Sequence, residues 1–325
     1  SLEGALVEVR RANLVQERAL KTNEAELYNA QEEMIDKGIN TNKLYESYPS
    51  MDNLIGNVKN SFQNAFTFYL SGLLYEAGKQ PNDAYIDYKR AIEIYPNNTY
   101  LQQDVLRLAK QLGMFEDYAY FEQKFGSYNT NNKNNSSQVV VIFEQGIVNA
   151  KEEARLNLPI FDTHSDFKFF TFALPVYRGH LSRKMPLNIN INEKNYASQE
   201  IVRLQSLATK DLKDQLPGLV TRQAIRLIAK EQLRRNLKKS GGDVGNILAS
   251  LYNVASERAD TRSWSSLPDN VQIVRMQNLT AGHQKLLVSY AGKTETIEID
   301  VAENSTTLIN FTAIGDYTSY KAISL

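Results

Sequence analysis

Few residues in this sequence could catalyse a reaction or hold a metal ion. The 325 residues include no cysteine and three histidines, His164, His180 and His283. Without cysteine, disulfide bonds, thiolate metal sites and cysteine nucleophiles are all excluded. We therefore predict that this chain carries no cofactor.

One segment places side chains that could bind a metal close together. Asp162, His164 and Asp166 alternate along the chain, and on a strand they would share one face and could hold a divalent ion. A polar loop between strands explains the same residues, and no second cluster of ligands is evident. We favour the loop. We also expect His180 and His283, which each follow a glycine, to lie in surface turns.

The motifs of common enzyme classes are absent. The sequence has no phosphate-binding glycine loop, no nucleophile elbow and no paired metalloprotease histidines. Catalytic pairs of Asp and Glu need not be close in sequence, so a hydrolase of peptidoglycan or another glycan stays as an alternative. We predict that the protein is not an enzyme.

Basic residues recur every four positions in one predicted helix, in a stripe formed by Arg222, Arg226, Lys230, Arg234 and Lys238. Its other side is apolar, with Leu219, Val220, Ile225, Ile228, Leu233 and Leu237. This basic stripe could contact a membrane surface, an acidic protein face or nucleic acid. We favour an apolar face packed on a sheet and a solvated stripe. Because Lys+Arg and Asp+Glu both number 37, no overall field favours nucleic acid, and none is expected as a partner.

The elements that position these residues fall into two regions, so the predicted fold class is multidomain α and α+β. Helical periodicity runs through residues 1–128, and an Asn/Ser-rich linker follows at 129–137. Residues 138–325 then read as an α+β domain.

Three parts are predicted within that second domain. They are a sheet at 138–197, a helical insertion at 198–260 that breaks at Pro217-Gly218, and β-sandwich-like strands at 268–325. Trp264, the one tryptophan, stands between the last predicted helix and the final strands. We expect it to anchor helix to sheet.

Two similar segments, Gly4–Ala12 and Asp83–Ala91, each read as the second helix of a helical hairpin. With Ala65 as first position, the signature residues of one full unit are Phe68, Gly72, Tyr75, Ala84, Tyr88, Ala91 and Pro96. Residues 65–96 therefore resemble a tetratricopeptide repeat, in which small residues permit close helix approach and aromatic rings fill the space between turns. Ser71 departs from the family, which has a larger apolar residue there, so we expect looser packing. The unit after Tyr100 lacks the signature and reads as a cap.

The repeat resemblance implies a concave surface lined by the first helix of each unit. It would place Phe66, Tyr69, Leu73 and Glu76 on that surface, where they would bind a protein or peptide. The alternative is that these residues pack against the N-terminal helix, residues 13–37. Both interpretations remain open at this stage.

Further segments extend the resemblance along the chain: Ala5–Asn13, Leu174–Tyr177, Arg258–Trp264 and Leu267-Pro268. Together with the repeat they resemble tetratricopeptide-containing lipoproteins of the bacterial cell envelope. The resemblance implies a periplasmic protein anchored to the outer membrane, with its lipid-attached N-terminus absent from this chain. We predict an adaptor or scaffold that binds an envelope protein or peptide.

Overall fold

The computed structural model describes residues 1–128, 137–161, 167–239 and 258–325. Nearly all of the predicted 129–137 linker, the Asp162–Asp166 segment and residues 240–257 of the predicted helical insertion lie outside the described residues. The same holds for the side chains of Arg234 and Lys238.

The N-terminal region is helical, as predicted. Its helices are α1 (Leu2–Asp36), α2 (Thr41–Ser47), α3 (Asp52–Ile55), α4 (Ala65–Ala77), α5 (Pro81–Ile94), α6 (Thr99–Gln111) and α7 (Phe115–Phe125). Asparagine side chains cap three of these helices, because Asn40, Asn64 and Asn98 accept hydrogen bonds from the first-turn backbone N–H groups. Pro81 occupies the first turn of α5, where no partner for its nitrogen is needed.

The predicted hairpin at 65–96 is present as α4 and α5. Gly72 lies against the ring of Tyr88, so the close approach inferred from the sequence is observed. The segment Gly4–Ala12 belongs to α1, which continues unbroken for 35 residues and packs along α4. A long helix therefore takes the place of the expected half-repeat and the separate helix after it.

The second region is rich in strands. These are β1 (Ser137–Gln145), β2 (Glu152–Phe161), β3 (Phe167–Val176), β4 (Asn188–Ile191), β5 (Lys194–Ala197), β6 (Gln199–Arg203), β7 (Asn270–Leu279), β8 (Gly282–Tyr290), β9 (Lys293–Val301), β10 (Thr306–Ile314) and β11 (Tyr317–Ser324). One long helix, α8 (Leu204–Lys239), is inserted between β6 and β7.

The strands form three sheets. A five-stranded sheet has the order β11-β10-β1-β7-β6, a four-stranded sheet has the order β5-β4-β8-β9, and β2 pairs with β3 alone. Strand β1 lies parallel to β10 and antiparallel to β7, so the first and last strand groups of the sequence share one sheet. The two larger sheets enclose a core in which Phe143 makes edge contacts with Tyr290 and Phe311.

The predicted helical insertion needs two corrections. Residues 199–203 form β6, and α8 continues through Pro217 where a break was expected. The proline costs α8 one backbone hydrogen bond, but buried packing on both sides of it holds the helix together. That packing comes from Leu212, Leu216, Val220 and Ala224, which recur every four residues and meet the β2–β3 hairpin and α3.

The helical region packs on one face of the five-stranded sheet. Helices α4, α5 and α6 share a buried cluster with Val140, Ile142, Ile201, Val271 and Ile273 of β1, β6 and β7. Helices α4 and α6 meet the sheet directly. The side of the hairpins that the repeat resemblance would assign to a ligand is therefore covered by the protein's own sheet.

Candidate ligand-binding groove on the outer helices

The predicted partner-binding residues lie mostly in the interior. Tyr69 and Leu73 are fully buried, and Phe66 is half-buried at the edge of the same cluster. Glu76 is held in ion pairs with Arg107 and Arg275. This corrects the expectation of an open surface on α4: the sheet fills the space that a ligand would need.

A cluster of buried charges joins the helices to the sheet. Arg275 of β7 inserts between α4 and α6, with Nη2 at 2.8 Å from Glu76 Oε2 and Nη1 at 2.9 Å from Asp104 Oδ2. Arg107 contacts the same two carboxylates, at 2.8 Å and 3.2 Å. We call these four residues the charge cluster. Two positive and two negative groups balance in a largely buried space, where charges are tolerated when they are paired.

Two tyrosines enclose the charge cluster. Tyr88 donates its hydroxyl hydrogen to Glu76 at 2.8 Å, and its ring lies 5.4 Å from the ring of Tyr69. Burial by itself raises the pKa of Glu76, but Arg107 and Arg275 outweigh burial and hold that pKa below its usual range. Burial raises the pKa of both tyrosines, and the nearby carboxylates add to the rise.

The raised tyrosine pKa values predict a loss of stability in alkali. Above about pH 10 an unfolded tyrosine releases its proton while Tyr69 and Tyr88 keep theirs, so the unfolded state is favoured as pH rises. We expect urea unfolding midpoints to fall steadily between about pH 9.5 and pH 11. The Tyr69→Phe variant should show a shallower fall, and an identical slope would contradict this account.

A second buried polar cluster lies between α1, α4 and α5. Asn13 Nδ2 donates to Ser71 Oγ at 3.1 Å and to Asp87 Oδ2 at 3.0 Å, and Ser71 Oγ donates to Asp87 Oδ2 at 2.5 Å. All three residues are buried. The expectation of loose packing at Ser71 is therefore wrong, because the small hydroxyl makes room for the carboxylate of Asp87.

A groove of about 280 Å³ opens above this polar cluster, between α1 and α5. Its lining residues are Arg10, Asn13, Leu14, Glu17, Tyr75, Asp83, Ile86, Asp87 and Arg90. We call it the outer groove, because α1 and α5 lie on the side of α4 away from the sheet. Leu14 and Ile86 border it with exposed fractions of 47% and 49%.

Two arginines in the outer groove are already engaged. Arg90 pairs with Glu17 at 2.7 Å and reaches Asp87 at 3.5 Å. Arg10 donates to the hydroxyl of Tyr75 at 3.0 Å and lies over its ring. Asp83 makes no ion pair within the described residues, so its carboxylate and the aliphatic side chains are the groups left to contact a ligand.

A second groove, of about 370 Å³, lies where α5 ends near β6 and β7. Its buried polar groups have partners within the protein: Glu200 accepts from Tyr95 and Arg203, and Gln272 donates to Gln145 at 3.0 Å. Groups satisfied in this way gain little from a ligand. Neither Glu76 nor Asp104 lines either of the two grooves.

The basic stripe is present on α8 as far as the described side chains extend. Arg222 and Arg226 are exposed and Lys230 is half-buried. On the apolar side Val220 is buried and Leu219 and Ile228 are half-buried, but Ile225 is 42% exposed, so the apolar face is shifted from the predicted one. The packed face and solvated stripe favoured above match this arrangement.

The remaining candidate residues are mostly at the surface. Trp264 is 75% exposed and donates to Ser266 Oγ at 2.8 Å, so its ring does not anchor helix to sheet as expected. His180 is exposed in a loop. Exposed His283 is the second residue of β8 and not part of a turn as expected, and it lies 3.1 Å from Asp300. No group of three or more His, Asp or Glu side chains suited to a metal occurs in the described part of the chain.

Of the helices that the structure describes, none has both the length and the apolar composition of a membrane span. Comparisons of the chain with protein-family models, with characterised proteins and with solved structures found no match. The tetratricopeptide and lipoprotein resemblances therefore stay predictions.

Sequence reasoning did not find the outer groove, although one signal was available. Ser71 stands where the repeat pattern has a larger apolar residue, and Asp87 and Asn13 are polar residues within largely apolar helix faces. Three polar residues at such positions indicate that the helices share a buried polar contact.

Proposed function

We propose that the protein is a non-enzymatic adaptor that binds a protein partner through the outer faces of α1, α5 and α7. The proposal rests on the positions of the exposed apolar side chains of the helical hairpins. Val7, Leu14, Ile86, Phe115 and Tyr120 are exposed and belong to α1, α5 and α7, whereas no large apolar side chain of α4 or α6 is exposed. Exposed apolar groups that share one side of a protein are typical of interaction surfaces.

The position of the five-stranded sheet supports the same proposal. Because the five-stranded sheet covers α4 and α6, the surface of the helical hairpins that is left to a partner is the outer one. Phe115 has an exposed fraction of 80%, and Met114 beside it has 39%. Aromatic side chains of this kind often supply a large share of the binding energy at protein interfaces.

We also propose that the adaptor works in the bacterial cell envelope, facing the periplasm. This part rests on the resemblance of the chain to envelope lipoproteins and on nothing else. Expression from the complete gene followed by cell fractionation tests it, with recovery in the outer-membrane fraction expected. Recovery with the cytosolic proteins would contradict it.

Site-specific photocrosslinking in cells tests the adaptor proposal. The chain carries p-benzoylphenylalanine at position 86 on α5, at position 115 on α7, or at position 295 on the exposed side of β9. We expect positions 86 and 115 to give protein adducts of one common partner, identified by mass spectrometry, and position 295 to give none.

A surface substitution makes this experiment specific. In a chain with the crosslinker at 115, Ile86→Lys places a charge on the outer surface without touching the core, because Ile86 is 49% exposed. The adduct at 115 should disappear. Equal adduct yields at 86, 115 and 295, or an adduct that persists in Ile86→Lys, would refute a partner surface on the outer helices.

A further inference from the structure

The outer groove has an unsatisfied hydrogen-bond acceptor in its floor. Asn13 is 7% exposed, and its Oδ1 accepts no hydrogen bond from any described residue. The orientation of this amide is fixed, because turning it over would bring Oδ1 against the carboxylate of Asp87. A buried carbonyl without a donor is unfavourable, so the floor of the groove favours a group that brings N–H hydrogens.

The charges around the outer groove point the same way. Glu17, Asp83 and Asp87 oppose Arg10 and Arg90, so the lining has one negative charge in excess. Asp83 is exposed and makes no ion pair within the described residues, whereas Arg90 is held by Glu17 at 2.7 Å. A cationic group therefore finds one carboxylate without an ion-pair partner at the rim, that of Asp83, and a second at the floor, that of Asp87, which already accepts from Asn13 and Ser71.

The apolar border of the groove fits the aliphatic stem of a cationic side chain. Leu14 and Ile86 stand at either side with about half of each side chain exposed. Exposed side chains change rotamer readily, so they can admit a ligand to the floor without disturbing the core. A lysine side chain combines an aliphatic stem with three N–H donors at its tip, and its stem commonly packs on apolar surface.

We propose that the outer groove is a receptor for a lysine side chain of the partner protein. This proposal rests on the adaptor function above and names the chemistry of its contact. The ammonium group donates to Asn13 Oδ1 and lies between Asp83 and Asp87, while the stem packs between Leu14 and Ile86. Arg10 and Arg90 stay on their present partners.

Titration of the isotope-labelled full chain with a lysine probe, followed by NMR, tests the inference. The probe is Nα-acetyl-lysine N-methylamide, and its comparison is Nα-acetyl-norleucine N-methylamide, which has the stem without the ammonium group. We expect the lysine probe to shift the side-chain amide signal of Asn13 and to saturate, and the norleucine probe to leave it in place.

Two further arms separate lysine from related chemistry. The Nε-acetylated lysine probe removes the charge and keeps a donor, and the arginine analogue offers a flat guanidinium group. Both should bind more weakly than lysine. Stronger binding of the acetylated probe would assign the groove to a neutral amide and overturn the proposal, as would an equal response to norleucine.

Matched variants remove one carboxylate without threatening the fold. Asp83→Asn changes an exposed residue of the groove, and we expect it to weaken lysine binding about two- to five-fold, as for a partly solvated ion pair. Glu93→Gln makes the same change at an exposed position of α5 outside the groove and should have no effect. Equal affinities in the two variants would overturn the proposal.

The lysine inference and the adaptor proposal fail in different ways. If the adduct at position 86 is unchanged by Asp83→Asn and the lysine probe does not bind, the adaptor remains and the lysine contact is wrong. If the lysine probe saturates but no protein adduct forms at 86 or 115, the groove binds a small ligand and the adaptor proposal is wrong.

Discussion

Replacing Arg275 by methionine is expected to destabilise the protein by about 3–5 kcal/mol, the usual cost of removing one partner from a buried ion pair. The side chain of Arg275 is 2% exposed and contacts Glu76 and Asp104 at 2.8 Å and 2.9 Å. Methionine fills much of the same volume but leaves two buried carboxylates with Arg107 alone. Urea or thermal unfolding of Arg275→Met against the parent chain measures the loss.

A second pair provides the control for this prediction. Lys285 and Glu298 lie 2.8 Å apart on the surface, with side chains 68% and 52% exposed. Because solvent screens such a pair, Lys285→Met should leave the unfolding midpoint almost unchanged. The double variant Arg275→Met with Asp104→Leu should recover part of the stability, since it removes one unpaired charge. If Arg275→Met costs no more than Lys285→Met, the charge cluster does not hold helices and sheet together.

The charge cluster shows why part of the fold could not be predicted from the sequence. Glu76 and Arg275 stand 199 residues apart, and neither has a neighbour in sequence that marks it as buried. Local patterns predicted the α4–α5 hairpin and a sheet that begins near residue 138, because each buries its residues through contacts that a period of 3.6 or 2 reveals. The docking of hairpin on sheet depends on contacts between distant segments, which periodicity does not encode.

The same limit explains the errors at the candidate site. The repeat resemblance assigned Tyr69, Leu73 and Glu76 to one side of α4, and the five-stranded sheet packs against that side. The sequence did not reveal that β6 and β7 would cover it. Pro217 was read as a helix break because local propensity disfavours it, but buried residues every four positions on either side kept α8 continuous.

The five-stranded sheet covers one side of the hairpins, and this relates the fold to the proposed function. A free hairpin stack would offer both sides to ligands, and the sheet leaves one. The groove on that remaining side depends on the spacing of α1 from α5 across α4, and this spacing depends on how closely α4 and α5 approach. Gly72 sets that approach.

Substitution of Gly72 by alanine is therefore expected to destabilise the protein by about 1–3 kcal/mol, the range for overpacked cores. A Cβ atom at Gly72 would lie 2.6 Å from Cε1 of Tyr88. The ring cannot move away easily, because its hydroxyl group is bonded to Glu76 and Arg275 and its face meets Tyr69. The ~1 kcal/mol that alanine gains over glycine from helix propensity offsets part of this steric cost, and the net change stays destabilising.

Gly78 provides a matched glycine at the end of the same helix. It has φ −78°, which alanine adopts without strain, and a Cβ atom there would meet Leu6 at an ordinary 3.4 Å. Gly78→Ala should therefore change the unfolding midpoint little, while Gly72→Ala should lower it and also weaken binding of the lysine probe, because α4 and α5 must separate. Equal unfolding midpoints in the two variants would show that the ring of Tyr88 can move away from the added Cβ atom. The spacing of α1 and α5 would then have to be set by other contacts, with the polar cluster of Asn13, Ser71 and Asp87 as the nearest candidate.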